Sequence, residues 1–225
     1  MPRFQRVVVS DIPHHVVNRG NRRQDVFFQA SDYEYYLEML SLFSRIYEVR
    51  IICYCLMTNH IHLIAIPSDE RSLTQMMSDV QKSYTRMINF REGWRGHLWQ
   101  GRYFSCPMDE VYTTRTARYI ELNPMKAKMV NNIGEYTYSS IQFHLGEKED
   151  KLIRESYFDF SPKQWRDYLM EGLDSEKQEE DRLEIEQATG RPLGDDRFIK
   201  RLEEATDRVL KMKKSGPKNH SKFNA

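Results

Sequence analysis

The amino-acid sequence predicts one α+β domain with a helical extension behind it, and three observations lead to this fold class. Short apolar segments with strand periodicity alternate with longer segments of helical periodicity. Their predicted order is strand, helix, strand, strand, helix, strand and a last helix, as in a ferredoxin-like antiparallel sheet with packed helices. The 225 residues suffice for a domain at 1–145, a helical extension at 146–210 and a basic tail at 211–225 that we expect to be disordered.

The first predicted strand covers residues 14–19 and leads into a polar loop at 18–24. Three arginines surround Gly20 in this loop, and a glycine lets the backbone approach a phosphate closely. A solvated loop would show the same composition. The pattern alone therefore leaves both interpretations open.

Two helices show capping patterns at their predicted starts. Ser31 with Glu34 opens the first, and Ser72 with Gln75 opens the second. Apolar residues follow each start at helical spacing, which predicts a buried stripe on each helix. The stripe of the second helix comprises Leu73, Met76, Met77, Val80, Tyr84 and Met87.

Two strands between these helices form a predicted hairpin around Thr58. Residues 49–57 are almost continuously apolar, which is typical of a central strand covered on both faces. Residues 59–66 contain His60 and His62, and alternation along a strand places these two imidazoles on the same face. Ile61, Leu63 and Ala65 would then point into a core.

Neutral imidazole is a common metal ligand, so His60 and His62 form half of a candidate metal site. The spacing alone is also compatible with two polar residues on an ordinary strand. Cys53 and Cys55 lie in the preceding strand, and a zinc site there is an alternative to their being core residues. The three cysteines of the chain are too few for a disulfide framework.

A last helix is predicted from about Thr113 to Asn123, because Pro124 pushes the residue before it out of helical geometry. Ala117 and Ile120 can pack inward. The opposite stripe would carry Arg115, Tyr119 and Asn123 at intervals of four residues. The helix thus presents a phenol and a carboxamide one turn apart, beside a cation.

These features together resemble the single-tyrosine HUH transposases, in particular the REP-associated tyrosine transposases of bacteria. The resemblance rests on four segments, NRGNRRQDVF at 18–27, His60-Ile61-His62, LWQGRYFS at 98–105 and YIELNP at 119–124. It covers residues 2–144. It implies that His60 and His62 hold a divalent cation, Mg²⁺ or Mn²⁺. It also implies that Tyr119 attacks a DNA phosphate, which leaves a 5′-phosphotyrosine and a free 3′-OH. A third metal ligand one helical turn after the tyrosine, often Gln in related enzymes, would here be Asn123.

The chemistry of phosphodiester attack needs these residue types. Negative charge develops on the phosphate and on the leaving 3′ oxygen, and a divalent cation stabilises both. A phenol has a pKa of about 10 and therefore needs a base or a nearby cation to react at neutral pH. The phosphotyrosine conserves the energy of the broken bond, so strands can be joined without ATP. The lack of a GxxxxGK[ST] phosphate loop agrees with this.

Residues 93–105 mix aromatic and basic side chains, as in surfaces that stack on unpaired bases and contact the neighbouring phosphates. A strand and turn with buried tryptophans is the alternative interpretation. From this segment, the polar loop and the helices we select ten candidates for DNA contact. They are Arg19, Asn21, Arg22, Arg23, Lys82, Arg86, Trp99, Gln100, Arg102 and Arg115.

The net charge of +1 hides an uneven distribution. Residues 1–145 carry +3, residues 146–186 carry −7 and residues 187–225 carry +5. Local basic patches, rather than global charge, attract phosphate. The acidic region predicts one amphipathic helix around Trp165, Tyr168, Leu169 and Leu173, then another at 181–188 and a small helical unit at 189–204.

No apolar run approaches the roughly 18 residues that cross a bilayer, and the N-terminus lacks the apolar core of a signal peptide. We therefore expect a cytoplasmic protein without a membrane partner. Single-stranded or hairpin DNA is the predicted partner, and the chain would act as a monomer or a homodimer. The leading hypothesis is a metal-dependent transposase that cleaves and transfers single-stranded DNA at hairpin-forming repeats. A non-catalytic, domesticated DNA- or RNA-binding protein on the same fold is one alternative, and a rolling-circle initiator or relaxase is another.

Overall fold

A computed structural model describes residues 6–174 and 189–211. Four strands form one antiparallel sheet in the order β2-β3-β1-β4. The strands are β1 (His14–Arg19), β2 (Val49–Leu56), β3 (His60–Pro67) and β4 (Phe104–Pro107). The helices are α1 (Ala30–Ile46), α2 (Ser72–Glu92), α3 (Glu110–Lys126), α4 (Ile141–His144), α5 (Pro162–Asp174) and α6 (Asp196–Thr206), and Asn21–Arg23 forms a 3-10 turn. The predicted α+β fold class is confirmed.

The sheet separates two apolar layers. Helices α1 and α2 pack on one face, where they meet Val16, Ile61 and Leu63. Helix α3 packs on the other face, against residues such as Ile64 and Cys106. The alternation predicted for β3 is therefore confirmed, with its histidines on the α3 side. Cys53, Cys55 and Cys106 are buried free thiols, and the first two belong to the core beneath α3.

Strand β2 lies at an edge of the sheet, so the prediction of a central strand is wrong. Its apolar run reflects cover on both faces, by α1 on one side and by α3 on the other. The outer edge of the strand is also occupied, because Leu56 N donates to Tyr138 O at 2.9 Å and Ser140 N donates to Tyr54 O at 3.0 Å. A continuous apolar pattern reports covered faces, and it does not distinguish an edge protected by a loop from a central position.

The helix starts differ from the predicted capping pairs. In α1 the capping box is formed by Gln29 and Asp32 rather than by Ser31 and Glu34. Before α2 the side chain of Asp69 accepts the backbone N–H groups of Arg71 at 2.6 Å and Ser72 at 3.0 Å. In both places a carboxylate binds the free N–H groups, since an ionised acceptor makes the stronger hydrogen bond and suits the positive end of a helix.

Helix α3 begins earlier and ends later than predicted. Asp109 caps it by accepting the backbone N–H of Tyr112 at 2.9 Å. Pro124 lies inside the helix, which continues to Lys126, so the prediction of an end at Asn123 is wrong. The proline removes one donor near the end of the helix, but Ala127 N still donates to Asn123 O at 2.9 Å.

The extension packs on the domain through two helices. Helix α5 is the predicted amphipathic helix and buries Trp165 and Leu169 against α3. Helix α6 buries Phe198 and Leu202 beside Val7. The helix predicted at 181–188 and the tail from 212 lie outside the described residues, and the domain boundaries stay predictions. Within 6–174 and 189–211 we find no helix that could span a membrane.

Candidate active site

Strand β3 and helix α3 bring the predicted catalytic residues together. The rings of His60 and His62 are nearly perpendicular, with centroids 4.9 Å apart. The ring of Tyr119 stands edge-on to His62 with a centroid distance of 5.7 Å. The Nδ2 atom of Asn123, one helical turn further, lies 3.4 Å from His62 Nε2. The polar stripe predicted for α3 thus faces the histidine face of the sheet.

Two further residues contact the histidines, and the sequence interpretation missed both. His15 on β1 places Nε2 at 3.0 Å from His62 Nδ1. Asn59, in the turn before β3, places Oδ1 at 2.6 Å from His60 Nδ1. Asn59 could have been noticed as the neighbour of His60, whereas His15 depends on the pairing of β1 with β3, which no local pattern reveals.

Burial keeps both candidate ligands neutral. The pKa of His60 is lowered to about 4, mainly by burial and in addition by the nearby Arg19 guanidinium. The pKa of His62 also lies well below its usual value, first because of burial and then because of His15, His60 and Arg19. At neutral pH each ring therefore has one nitrogen lone pair, which a metal ligand requires.

The donor set fits a weakly held divalent cation. Across 6–174 and 189–211 no three His, Cys, Asp or Glu side chains are grouped to hold an ion. The candidate ligands are instead two imidazoles and one amide, all neutral, which leaves coordination positions for water or a phosphate. Asn123 directs its amide nitrogen at His62, so a half-turn of the amide would bring the oxygen to the same side.

The arginine loop, residues 19–24, lies directly beside the histidines. Gly20 N donates to Asn59 O at 2.8 Å, and Gln100 N donates to Arg19 O at 2.9 Å. A Cβ atom on Gly20 would lie 2.2 Å from the carbonyl oxygen of Gln24, so only glycine fits this close approach. The loop is thereby fixed between the turn that precedes His60 and the segment around Gln100.

The ten candidates for DNA contact do not share one surface. Arg22, Arg23, Gln100 and Arg102 are exposed around the arginine loop, and Arg115 is exposed on the tyrosine helix. Arg19 and Asn21 are half-buried in the loop. Lys82 and Arg86 are exposed on α2, whose layer covers the other face of the sheet, and Lys82 pairs with Asp79 at 3.5 Å.

Trp99 belongs to the core. It is only 6% exposed and packs between Tyr36 and Tyr84, with ring centroids 6.0 Å from each. Trp99 is therefore a buried core tryptophan, as in the alternative interpretation of this segment. In this conformation neither face of its ring is open to a nucleic-acid base. Trp94 is 45% exposed instead, and its ring meets Phe28 edge-on at 5.6 Å. Aromatic residues along one segment cannot be sorted into core and surface by composition.

A buried carboxylate lies on the core side of the tyrosine helix. Glu121 is 2% exposed and accepts Ser140 Oγ–H at 2.6 Å and Trp165 Nε1–H at 2.8 Å. His144 Nδ1 lies 2.6 Å from the same carboxylate. These partners satisfy a group that would otherwise destabilise the core, and they connect α3 to the extension. Its place in the YIELNP segment gave no sign of this role.

Known proteins share the fold and the sequence pattern that contain these residues. A family model described as IS200-like transposase matches residues 8–123, just over half of the chain. The structure is similar to that of a REP-associated tyrosine transposase bound to a REP hairpin, with 16% identity, a TM-score of 0.57, and coverage of 72% of this chain and 96% of that one. No curated protein matches the sequence.

A candidate transposase from Deinococcus radiodurans also aligns, with 16% identity over 53% of this chain and 95% of that one. Its TM-score of 0.37 is too low to show a shared fold. The REP-associated structure shows a shared fold. The family model extends from before β1 to Asn123 and so includes both histidines and the tyrosine. The chain belongs to the family of IS200-like transposases.

Proposed function

We propose that the chain cleaves and rejoins single-stranded DNA beside a hairpin, through a covalent 5′-phosphotyrosine at Tyr119. The observation that carries the proposal is the meeting of Tyr119 with His62, at 5.7 Å between ring centroids, where His60 and Asn123 complete a set of metal-ligand types. Strand and helix hold these side chains from opposite sides of one packed layer. A reaction whose rate depends on the relative positions of its reacting groups requires such a rigid arrangement.

The proposed reaction balances without a further reactant. The Tyr119 oxygen bonds to phosphorus and loses its proton, while the bond from phosphorus to the 3′ oxygen breaks and that oxygen gains a proton. A divalent cation such as Mg²⁺ or Mn²⁺, held by His60, His62 and Asn123, would stabilise the charge that develops on the phosphate. His60 and His62 stay neutral, and the side chain of Arg19 adds positive charge beside them.

Hairpin DNA is the proposed substrate. The similar solved structure is bound to a REP hairpin, and we extend that partner to this chain. The arginine loop supports the extension, since Arg22 and Arg23 are exposed and the loop is hydrogen-bonded to the turn before His60. A phosphate held there would lie next to the candidate metal site. The exposed ring of Trp94 provides a surface on which an unpaired base can stack.

The direct test is capture of labelled DNA. The full chain is incubated with a stem-loop oligonucleotide that carries a single-stranded flank, in the presence of Mn²⁺ or Mg²⁺, and boiled in detergent before electrophoresis. A 5′-phosphotyrosine retains the 3′-labelled fragment on the protein and releases the 5′-labelled one. Hairpin binding without any adduct would favour the alternative, a non-catalytic nucleic-acid-binding protein. An adduct that retains the 5′ label would contradict the proposed polarity.

The arginine loop should account for part of the salt dependence of binding. We expect the double variant Arg22→Ala/Arg23→Ala to bind the hairpin more weakly, because two phosphate contacts are lost. A plot of log affinity against log salt should become shallower by up to roughly 1.4 to 1.8, the value for two phosphates. A matched variant, Arg197→Ala/Arg201→Ala, removes two exposed arginines from α6 and should leave the slope unchanged. Equal slopes in all three proteins would place the DNA elsewhere.

A further inference from the structure

Asn59 lies between the arginine loop and the ring of His60, and it contacts both. Its amide Nδ2 donates to the carbonyl oxygen of Arg23 at 3.2 Å. The amide oxygen must then be the atom that faces His60 Nδ1, at 2.6 Å. An amide oxygen only accepts hydrogen bonds, so His60 Nδ1 carries the hydrogen. The lone pair of the neutral ring is left on Nε2.

His15 contacts the Nδ1 atom of His62, just as Asn59 contacts the Nδ1 atom of His60. The two rings are almost parallel, with an interplanar angle of 5°, and His15 Nε2 lies 3.0 Å from His62 Nδ1. Both residues are buried on neighbouring strands of the sheet, so neither ring can turn without moving its neighbours. On its other side, His62 Nε2 faces the amide nitrogen of Asn123, which is a donor. While the amide keeps this orientation, Nε2 accepts its hydrogen and Nδ1 carries the hydrogen toward His15. When the amide turns its oxygen toward a cation, the cation would bind the Nε2 lone pair in place of that hydrogen.

We propose that His15 and Asn59 are positioning residues that fix His62 and His60 as Nδ1-protonated tautomers, with both Nε2 lone pairs directed at the cation. The inference deepens the proposed function, since it assigns the residues that prepare its metal site. Neither residue needs to touch the metal or the DNA. A histidine ligand whose other nitrogen is held by an acceptor keeps its ring orientation and its basicity.

The structure requires two different acceptors for a physical reason. His60 is half-buried next to the turn, where a backbone-anchored amide can reach it. His62 is only 4% exposed, and a charged acceptor at its Nδ1 would have to be desolvated in the sheet. A neutral imidazole accepts the hydrogen without that penalty. His15 then has its own hydrogen on Nδ1.

The test begins with the metal-free wild type at pH 7.5. A long-range ¹H–¹⁵N correlation spectrum distinguishes the two tautomers of each neutral histidine. We expect Nδ1-protonated rings at both His60 and His62. An Nε2-protonated ring at either position, or a mixture of tautomers, would overturn the inference. This readout needs neither metal nor DNA, so it remains decisive if the chain forms no covalent adduct.

Variants then distinguish an effect on the orientation of the histidine rings from an effect on the packing of the core. His15→Phe keeps a ring but removes the acceptor, and we expect Mn²⁺ affinity to fall by roughly 10- to 100-fold in calorimetry. His15→Gln restores an acceptor oxygen near the Nε2 position and should recover most of that loss. Asn59→Asp keeps an acceptor for His60, whereas Asn59→Ala does not. Unchanged tautomers and Mn²⁺ affinity in His15→Phe would overturn the role of His15. Should His15→Phe fail to fold, the wild-type spectrum and His15→Gln still decide.

Discussion

We expect Tyr119→Phe to abolish covalent DNA capture while hairpin affinity stays close to that of the wild type. The substitution removes only the hydroxyl group, so the ring can keep its edge-on contact with His62 at 5.7 Å between centroids. Loss of the nucleophile should lower the rate of adduct formation by roughly 10³-fold or more. The measurement is the amount of boiling-resistant adduct on a denaturing gel, together with a binding titration on the same hairpin.

Tyr112→Phe is the matched control for this prediction. Tyr112 lies two turns earlier on the same helix and is also half-buried. Its variant should form the adduct at the wild-type rate. If Tyr119→Phe still captures DNA, another tyrosine is the nucleophile and the assignment to Tyr119 is wrong.

The second large effect is expected at His62. We chose His62→Gln rather than His62→Ala, because this side chain is only 4% exposed and its truncation would leave a cavity. His62 faces Tyr119 and is at the same time buried in the layer between the sheet and α3. Loss of one of two imidazole ligands should lower cleavage by roughly 10²-fold or more and weaken Mn²⁺ binding.

Chelation should reproduce this loss in the wild type. Excess EDTA should stop cleavage, and added Mn²⁺ or Mg²⁺ should restore it. The control is Arg197→Ala/Arg201→Ala, because these two exposed arginines lie on α6, outside the candidate site and the arginine loop. This control variant should cleave normally, and thermal melting should show that His62→Gln is folded under the assay conditions. Full cleavage in EDTA would contradict the metal dependence.

The sequence predicted those features that depend on local periodicity. The alternation of β3 placed His60 and His62 on one face, and the helical period of α3 placed Tyr119 and Asn123 on one stripe, both of which the structure shows. Several features that it missed depend on the pairing of segments that are distant in the sequence. His15 reaches His62 only through the register of β1 with β3.

Other misses have the same physical origin. The edge position of β2 is hidden because a loop occupies its hydrogen-bonding groups, and the core position of Trp99 is hidden because its neighbours come from α1 and α2. The roles of the site residues stay predictions. The geometry brings their side chains together, and the experiments above decide what they do.

The buried carboxylate of Glu121 joins the extension to α3, the helix that carries Tyr119. Trp165 on α5 donates to one oxygen of this carboxylate, while Ser140 donates to the other. A chain shortened to residue 145 would keep the tyrosine helix but lose the indole that covers and satisfies its inner side. Without α5, water would reach this carboxylate, and the apolar side chains of α3 beneath Trp165 and Leu169 would be exposed at a cost of roughly 1.5–3 kcal/mol for each fully buried one. Shortened versions and chimaeras should therefore keep α5 together with α3.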